Sequence, residues 1–277
     1  MSFERELEVA RLAALEAAEV VRGHQKAGID VERKAGDEPV TAADHAASEL
    51  ILRRLKAAFP GDSALSEEVP DDGARRHQAR VWVIDPIDGT RDFIRGDEGF
   101  SVMIGLCVDG RPTVGVVAMP ATRVTYGGIV GVGGWKDLAD GSRLPLRTSS
   151  IAGPPGIRLV SSKSHRSDDI DKFRNALQIE DELHIGSVGV KASLVAEGSR
   201  DLYVYPGTRT KIWDACAPEA ILIAAGGRFT DVRGRMLSYT GELLYNEGGI
   251  VASNGPLHDH VLALLEKLGR ERLPPAG

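Results

Sequence analysis

The segment Asp85-Pro86-Ile87-Asp88-Gly89-Thr90-Arg91-Asp92, entered from the apolar run Val81-Trp82-Val83-Ile84, constrains this chain more than any other stretch. A strand-like run here delivers two carboxylates three positions apart, and Gly-Thr follows at once. Asp85, the Ile87 carbonyl and Asp88 can then point into one space at the strand's end. Hard divalent cations favour such oxygen clusters, Mg²⁺ above all, since it takes a few carboxylates and keeps water or substrate phosphate as its remaining ligands. Gly89 lets backbone approach a ligand closely, and the amides after it suit a phosphate as a helix N-terminus does. Taken alone, the same segment also reads as an Asp-rich turn closing an edge strand.

Two further acidic positions fit the same site. Ser66-Glu67-Glu68 ends the short apolar segment Ala64-Leu65, and Trp213-Asp214 opens a segment that reads as a helix running to Gly226-Gly227. With Glu67-Glu68, Trp82-Val-Ile-Asp-Pro-Ile-Asp-Gly-Thr90 and Trp213-Asp214-Ala-Cys216 in that order, the chain resembles the Mg²⁺-dependent, lithium-sensitive phosphomonoesterases typified by inositol monophosphatase. The resemblance runs from Val40-Thr41-Ala42-Ala43-Asp44 to Asn254. It implies an α/β protein (α+β in its N-terminal half) with the α-β-α-β-α layered sandwich of the inositol monophosphatase and fructose-1,6-bisphosphatase type, and an active site between the halves.

The roles implied by the resemblance fall on matching residues. Glu67, Asp85 and the Ile87 carbonyl would hold one Mg²⁺ and Asp85, Asp88 and Asp214 a second, with two or three metals per site. Two metals about 3.5–4 Å apart clamp a phosphoryl group and stabilise attacking and leaving oxygens of an in-line displacement. Asp44, Thr90 and Glu67 form the implied catalytic group, Thr90 accepting a hydrogen bond from a metal-activated water and relaying its proton to Asp44. Gly89, Thr90 and Asp214 would face the substrate. Thr41 reads as a helix cap, and Glu68 as a support of the loop that faces away from the ligands. Lys34 matches a family lysine near the metals, though a strand-end lysine also reads as merely solvated. Converging carboxylates without cations repel each other, so a purely structural role for all four acids is disfavoured.

Substrate preference is read from a second set of residues. Between Asp201 and Asp214 no carboxylate occurs, and Arg209 and Lys211 do. Tyr203-Val-Tyr-Pro-Gly, Ser161-Ser162-Lys163-Ser164-His165 and Gly186-Ser187-Val188-Gly189-Val190-Lys191 resemble the 3′(2′),5′-bisphosphate nucleotidase branch of the family. By that resemblance Ser162, His165, Ser187 and Lys191 would contact the nucleotide and its second phosphate, Ser187 and Lys191 lying one above the other on a helix face. The other reading makes the Ser-Lys-Ser-His run an ordinary helix-capping loop and Lys191 a surface lysine. The expected reaction is removal of the 3′-phosphate from 3′-phosphoadenosine 5′-phosphate. An inositol-phosphate or sugar-phosphate phosphatase, and an inactive nucleotide- or metal-binding regulator, remain as alternatives.

Bulk properties bound these readings. At 277 residues and 42% hydrophobic the chain can bury a large core in one large or two intimately packed domains. A formal net charge of −6 argues against binding a nucleic-acid polymer. Cys107 and Cys216, far apart in the chain and apolar in surroundings, read as buried free thiols suited to a reducing cytoplasm. No run approaches the roughly 18 apolar residues of a membrane span, and the charged start Met-Ser-Phe-Glu-Arg-Glu does not read as a signal peptide. Oligomeric state is left open.

Apolar spacing predicts helices over 3–22, 41–58 (stopped by Pro60-Gly61) and 168–178, 189–198 and 214–225, with a last helix from about 256 to 269. Strands are predicted at 29–34, 81–85, 100–108, 113–119, 124–130, 158–161, 182–186 and 201–205, with a hairpin at Val108-Asp109-Gly110-Arg111. Residues 1–150 therefore read as an α+β half on a largely antiparallel sheet carrying the metal motifs. Residues 151–277 read as an α/β half with several parallel strands and the substrate contacts, the boundary near Gly153-Pro154-Pro155-Gly156.

Overall fold

The computed structural model describes residues 2–28, 31–33, 39–163 and 168–270. Lys34 and His165, both expected at the site, lie outside them. In chain order the elements are α1 Glu4–Ala27, β1 Val31–Arg33, β2 Pro39–Thr41, α2 Ala42–Ala58, β3 Ser63–Ser66, β4 Arg80–Asp88, α3 Thr90–Arg95, β5 Ser101–Val108, β6 Arg111–Met119, β7 Val124–Ile129, β8 Gly133–Asp137 and β9 Arg143–Pro145. There follow β10 Arg158–Ser162, α4 Asp168–Ala176, β11 Asp181–Ile185, α5 Val188–Ala196, β12 Leu202–Tyr205, α6 Ile212–Ala224, β13 Arg228–Thr230, β14 Ile250–Ser253 and α7 His258–Arg270.

Two sheets organise these elements. The first has the order β3-β4-β5-β6-β7-β8-β9, antiparallel except where β3 runs parallel to β4. The second has the order β11-β10-β12-β14-β13; β10 is parallel to β11 and β12, whereas β14 is antiparallel to both its neighbours. The parallel reading thus holds for three strands of five. Strands β2, β3, β8, β9, β13 and β14 and helix α3 are additions to the predicted set. They are short segments whose hydrophobic period is too brief to stand out in sequence.

Layering follows from the alternation of side chains along the strands. In β4, Val81 and Val83 pack with α5 and α6 residues, whereas Trp82 and Ile84 pack with Ala10, Ala14, Ala47 and Ile51 of α1 and α2. Helices α4 and α7 cover the outer face of the second sheet through Phe173, Leu177 and Val261. The result is α1/α2, first sheet, α5/α6, second sheet, α4/α7: the five-layer sandwich. Cys107 and Cys216, remote in sequence, meet in the central core as buried free thiols.

Close approach of α6 to the first sheet is what carries Asp214 to the end of β4. Gly115 in β6 makes it possible, because a Cβ there would lie 2.2 Å from the Ala217 carbonyl oxygen. Helix α6 contains Pro218 within its second turn, which removes the helical N–H that would otherwise bond the Asp214 carbonyl four residues earlier.

Candidate metal and phosphate site

Side chains alternate along a strand, so Asp85 continues the face of Val81 and Val83 toward the α5/α6 layer. The next alternation would turn residue 88 to the opposite side. It does not, because the register between β4 and β5 shifts between Asp85 and Asp88. Such a bulge re-aims a side chain, and it explains the three-residue spacing of the motif. Carboxylate oxygens of Asp85, Asp88 and Asp214 lie within 4.8 Å of one another. Gly89 then turns the chain into α3 with φ 90°, and a Cβ there would press to 2.8 Å from the Gly99 carbonyl oxygen.

The three acids sit at the base of a cavity of about 500 Å³, whose wall also includes Glu67, Ile87, Gly89 and Thr90. Ser162, Lys163, Lys191, Arg209, Lys211 and Tyr245 also line it. Burial, then repulsion from Glu67, Asp88, Asp214 and Asp44, holds the Asp85 carboxyl well above the ordinary range. Asp214 is pushed up in the same way, by burial and then by Asp88 and Glu67. Burial also raises Asp88, offset by Lys191 and by hydrogen bonds from Ser187 and Gly189. Groups that resist ionising together in a protein-only environment are the donor set that a hard divalent cation neutralises. The residues therefore fit such an ion.

Individual expectations fare differently. Thr90 Oγ1 donates to the Ile87 carbonyl at 3.0 Å, and Asp44 is buried with Oδ2 accepting from both the Thr41 N–H (2.8 Å) and its hydroxyl (2.7 Å). Thr41 does cap α2, by a reciprocal capping box with Asp44. Glu68 faces His45, with Oε2 3.9 Å from Nδ1, and is not on the cavity wall. Ser162 reaches the cavity and is hydrogen-bonded to Tyr203.

Ser187 and Lys191 are one helical turn apart, the Lys191 N–H bonding the Ser187 carbonyl at 3.2 Å, but only Lys191 reaches the cavity. Ser187 is the N-cap of α5 and is wholly buried off the cavity wall, its Oγ donating to Asp88 Oδ2 at 2.5 Å and accepting from Val190 N at 3.0 Å. Lys191 is no surface lysine: it is 0% exposed, with Nζ donating to the carbonyls of Ile185 (3.3 Å) and Gly186 (2.5 Å) and lying 5.0 Å from the Tyr203 ring centre. Burial lowers its pKa to about 8 against the pull of Asp88, Asp214 and Asp92.

Sequence reasoning gave Asp92 and Tyr245 no role, and Lys211 only that of a cation suited to a highly charged substrate. Asp92 is buried and joins the halves, Oδ2 accepting from Gly186 N at 3.1 Å with Lys163 Nζ 3.3 Å away. Its place in the Thr-Arg-Asp run after the motif was the one available signal. Tyr245 is 52% exposed at the cavity mouth and carries no sequence signature.

Comparisons with known proteins agree with this geometry. The family model described as "Inositol monophosphatase family" matches residues 3–270. Over 213 residues, 76% of this chain and 84% of the relative, the sequence is 39% identical to a Salmonella typhimurium protein named 3′(2′),5′-bisphosphate nucleotidase CysQ. Over 216 residues, 73% of this chain and 74% of the relative, it is 37% identical to the 3′-phosphoadenosine 5′-phosphate phosphatase of Mycobacterium bovis. Among solved structures, an inositol monophosphatase of Thermotoga maritima superposes with a TM-score of 0.80 at 26% identity, covering 96% of this chain and 99% of that one. The chain belongs to the inositol monophosphatase family.

Proposed function

We propose that this protein is a Mg²⁺-dependent phosphomonoesterase that removes the 3′-phosphate of 3′-phosphoadenosine 5′-phosphate. The observation that carries the reading is the convergence of Asp85, Asp88 and Asp214 within 4.8 Å at the base of a cavity ringed by cations. The names of the relatives support the nucleotide as substrate, as does the pairing of that acidic base with Lys163, Arg209 and Lys211 on the wall. Two buried free thiols suit a reducing cytoplasm. Among the described residues no helix is long and apolar enough to cross a membrane.

Glu67, Asp85, the Ile87 carbonyl, Asp88 and Asp214 would hold the metal. When bound, divalent ions supply an acidified water and charge neutralisation at the phosphoryl oxygens. The chain's own part is positional. Ser187 Oγ–H and Gly189 N–H fix Asp88 Oδ2, at 2.5 and 2.8 Å, in one orientation. Thr90 Oγ1 gives its hydrogen to the Ile87 carbonyl, which leaves its lone pairs to accept from an attacking water; passing a proton on to Asp44, which here accepts from Thr41, would require the Thr90 hydroxyl to turn from Ile87 toward Asp44. Lys191, held by two carbonyls and Tyr203, places a buried positive charge near Asp88 and Asp214 and offsets part of theirs.

Phosphate release from the bisphosphorylated nucleotide, inositol 1-phosphate and fructose 1,6-bisphosphate, each with and without Mg²⁺, tests the proposal. The expected result is Mg²⁺-dependent turnover with the highest kcat/KM for the nucleotide. Equal kcat/KM for inositol 1-phosphate would overturn the substrate assignment, and turnover in chelator would overturn the metal assignment.

A further inference from the structure

A second cavity lies between α1, the β6–β7 turn and the β8–β9 turn. It has two adjoining lobes of about 340 and 230 Å³, and Leu15, Arg123, Thr125 and Leu138 line both. The smaller lobe adds Ala18 and Met119, so much of the lining is apolar. Guanidinium groups of Arg11, Arg22, Arg123 and Arg143 join it. Three of them already have a carboxylate: Arg11 bonds Glu8 at 2.8 Å, Arg143 bonds Asp137 at 2.6 and 2.9 Å, and Arg22 pairs with Glu19. Arg123 is exposed and has no carboxylate partner among the described residues. Its charge falls instead on Arg22, whose pKa is lowered by burial and then by Arg123. Thr125 is only 3% exposed, yet its hydroxyl has no hydrogen-bond partner among the described residues. Buried hydroxyls are ordinarily bonded, and this one lines both lobes.

We propose that this cavity is a second ligand site, for a small organic anion with an apolar body and one oxyanion head. An apolar pocket with a few convergent polar groups is the usual form of a small-molecule site. Arg123 and Thr125 stand two positions apart where the β6–β7 turn enters β7, and both open into the cavity. The Met119 carbonyl accepts from the Arg123 N–H at 2.9 Å, which closes that turn and fixes where the arginine side chain starts. One head group can therefore accept from a guanidinium and a hydroxyl together, a charge-assisted arrangement. With three of the four guanidinium groups matched by carboxylates, the surplus suits a single anionic head and not a polyphosphate. The body is left to cover Leu15, Ala18 and Leu138. This site does not rest on the metal reading. Helix α1 packs on the face of the first sheet that carries Trp82 and Ile84, opposite the face of Asp85, and the two cavities have no lining residue in common.

Calorimetric titration of the full chain with naphthalene-2-sulfonate, which a phosphatase cannot hydrolyse, tests this. The wild type is expected to bind one equivalent saturably. Arg123→Gln should weaken binding about tenfold, the loss of one charge-assisted bond, and Thr125→Val should weaken it severalfold. Ala139→Trp, which sets a bulky ring at an exposed residue of the lining, should block the site with no change in melting temperature. Naphthalene-2-sulfonamide, which lacks the charge, and methanesulfonate, which lacks the body, should each bind far more weakly. Lys163→Gln, in the catalytic cavity, should bind the probe as the wild type does. The proposal is overturned by the absence of saturable binding at millimolar probe, or by wild-type affinity in Arg123→Gln, Thr125→Val or Ala139→Trp. Equal binding of either truncated probe overturns it as well. So does a loss confined to Lys163→Gln, which would put the probe in the catalytic cavity.

Discussion

Ser187 and Asp88, ninety-nine residues apart in the chain, are joined by a 2.5 Å hydrogen bond that links the start of α5 to the end of β4. The bond ties the central helix layer to the first sheet at the place where the carboxylates converge. It gives Ser187 an indirect part in the site, since the hydroxyl orients a candidate metal ligand and simultaneously caps a helix.

Replacing Ser187 by Ala should accordingly act on every substrate alike. Loss of an N-cap costs about 1 kcal/mol, and a weakened charge-assisted bond adds about 1–2 kcal/mol. Chemical denaturation should show a loss in that range, and kcat should fall equally for the bisphosphorylated nucleotide and for a small phosphomonoester. A rise in KM confined to the nucleotide would instead place the hydroxyl against the substrate.

Asp214→Asn should stabilise the metal-free protein and abolish the metal's effect on stability. Without divalent ions the buried acids repel one another, so the variant is expected to melt a few degrees above the wild type in chelator. At a Mg²⁺ concentration a hundredfold above Kd the wild type gains about 2.7 kcal/mol, a shift on the order of 5 °C; the variant should gain little and turn over no substrate. Thermal melts with and without Mg²⁺ decide, and a wild type that is indifferent to the ion would count against the site.

Thr90→Val removes the hydroxyl at nearly constant volume while leaving Asp85 and Asp88 in place. If the hydroxyl positions the attacking water, kcat should fall by about 10²-fold with Mg²⁺ affinity nearly unchanged. Calorimetric titration beside steady-state kinetics distinguishes this from loop ordering, which would lower the affinity and leave kcat at saturation intact.

A pH effect on stability should come from His258, remote from the site. The ring is 0% exposed between Thr230 Oγ1 (2.9 Å) and Ser253 Oγ (2.8 Å). Burial, with Arg228 nearby, lowers its pKa from 6.5 to about 4. The neutral ring is thus favoured by folding, so its contribution is fully present above pH 6.5 and is lost as pH falls toward 4. The slope is at most about 1.4 kcal/mol per pH unit for one proton. Glu219, which burial raises from 4.5 to about 7 against Tyr239 and Arg111, works the other way, its contribution falling as pH rises through that window. Urea unfolding of wild type and His258→Gln should therefore be compared pH by pH. Parallel curves from pH 8 to 4.5 would show that His258 does not titrate in this way.

The helices were legible because their apolar spacing persists over several turns, as in α1, where Leu7, Ala10, Ala14, Ala17 and Val21 all lie in the core. The sequence expectation stopped that helix at residue 22, five residues before its end, since the closing Gly-His-Gln-Lys-Ala stretch lacks the periodic signal. Strands β8 and β9 escaped notice because Gly133-Gly134 and the exposed Arg143-Leu144-Pro145 have neither alternation nor burial to mark them. The acidic motifs were legible for another reason: fixed spacings within one strand end and one helix start are local, and local geometry is written in neighbouring residues.

By itself, then, the sequence determined the donor chemistry: which carboxylates stand at the end of β4 and the start of α6, and that a cationic segment precedes Asp214. Only the tertiary structure decided which groups meet across the chain. A bulge turns Asp88 to the side of Asp85, the Gly115 contact lets α6 bring Asp214 to them, and packing buries Ser187 against Asp88 rather than exposing it to the cavity. Lys211 lies beside Glu67 for the same reason. These are contacts between residues tens to more than a hundred positions apart, set by how layers stack, and hydrophobic period encodes the face of an element without encoding its partner.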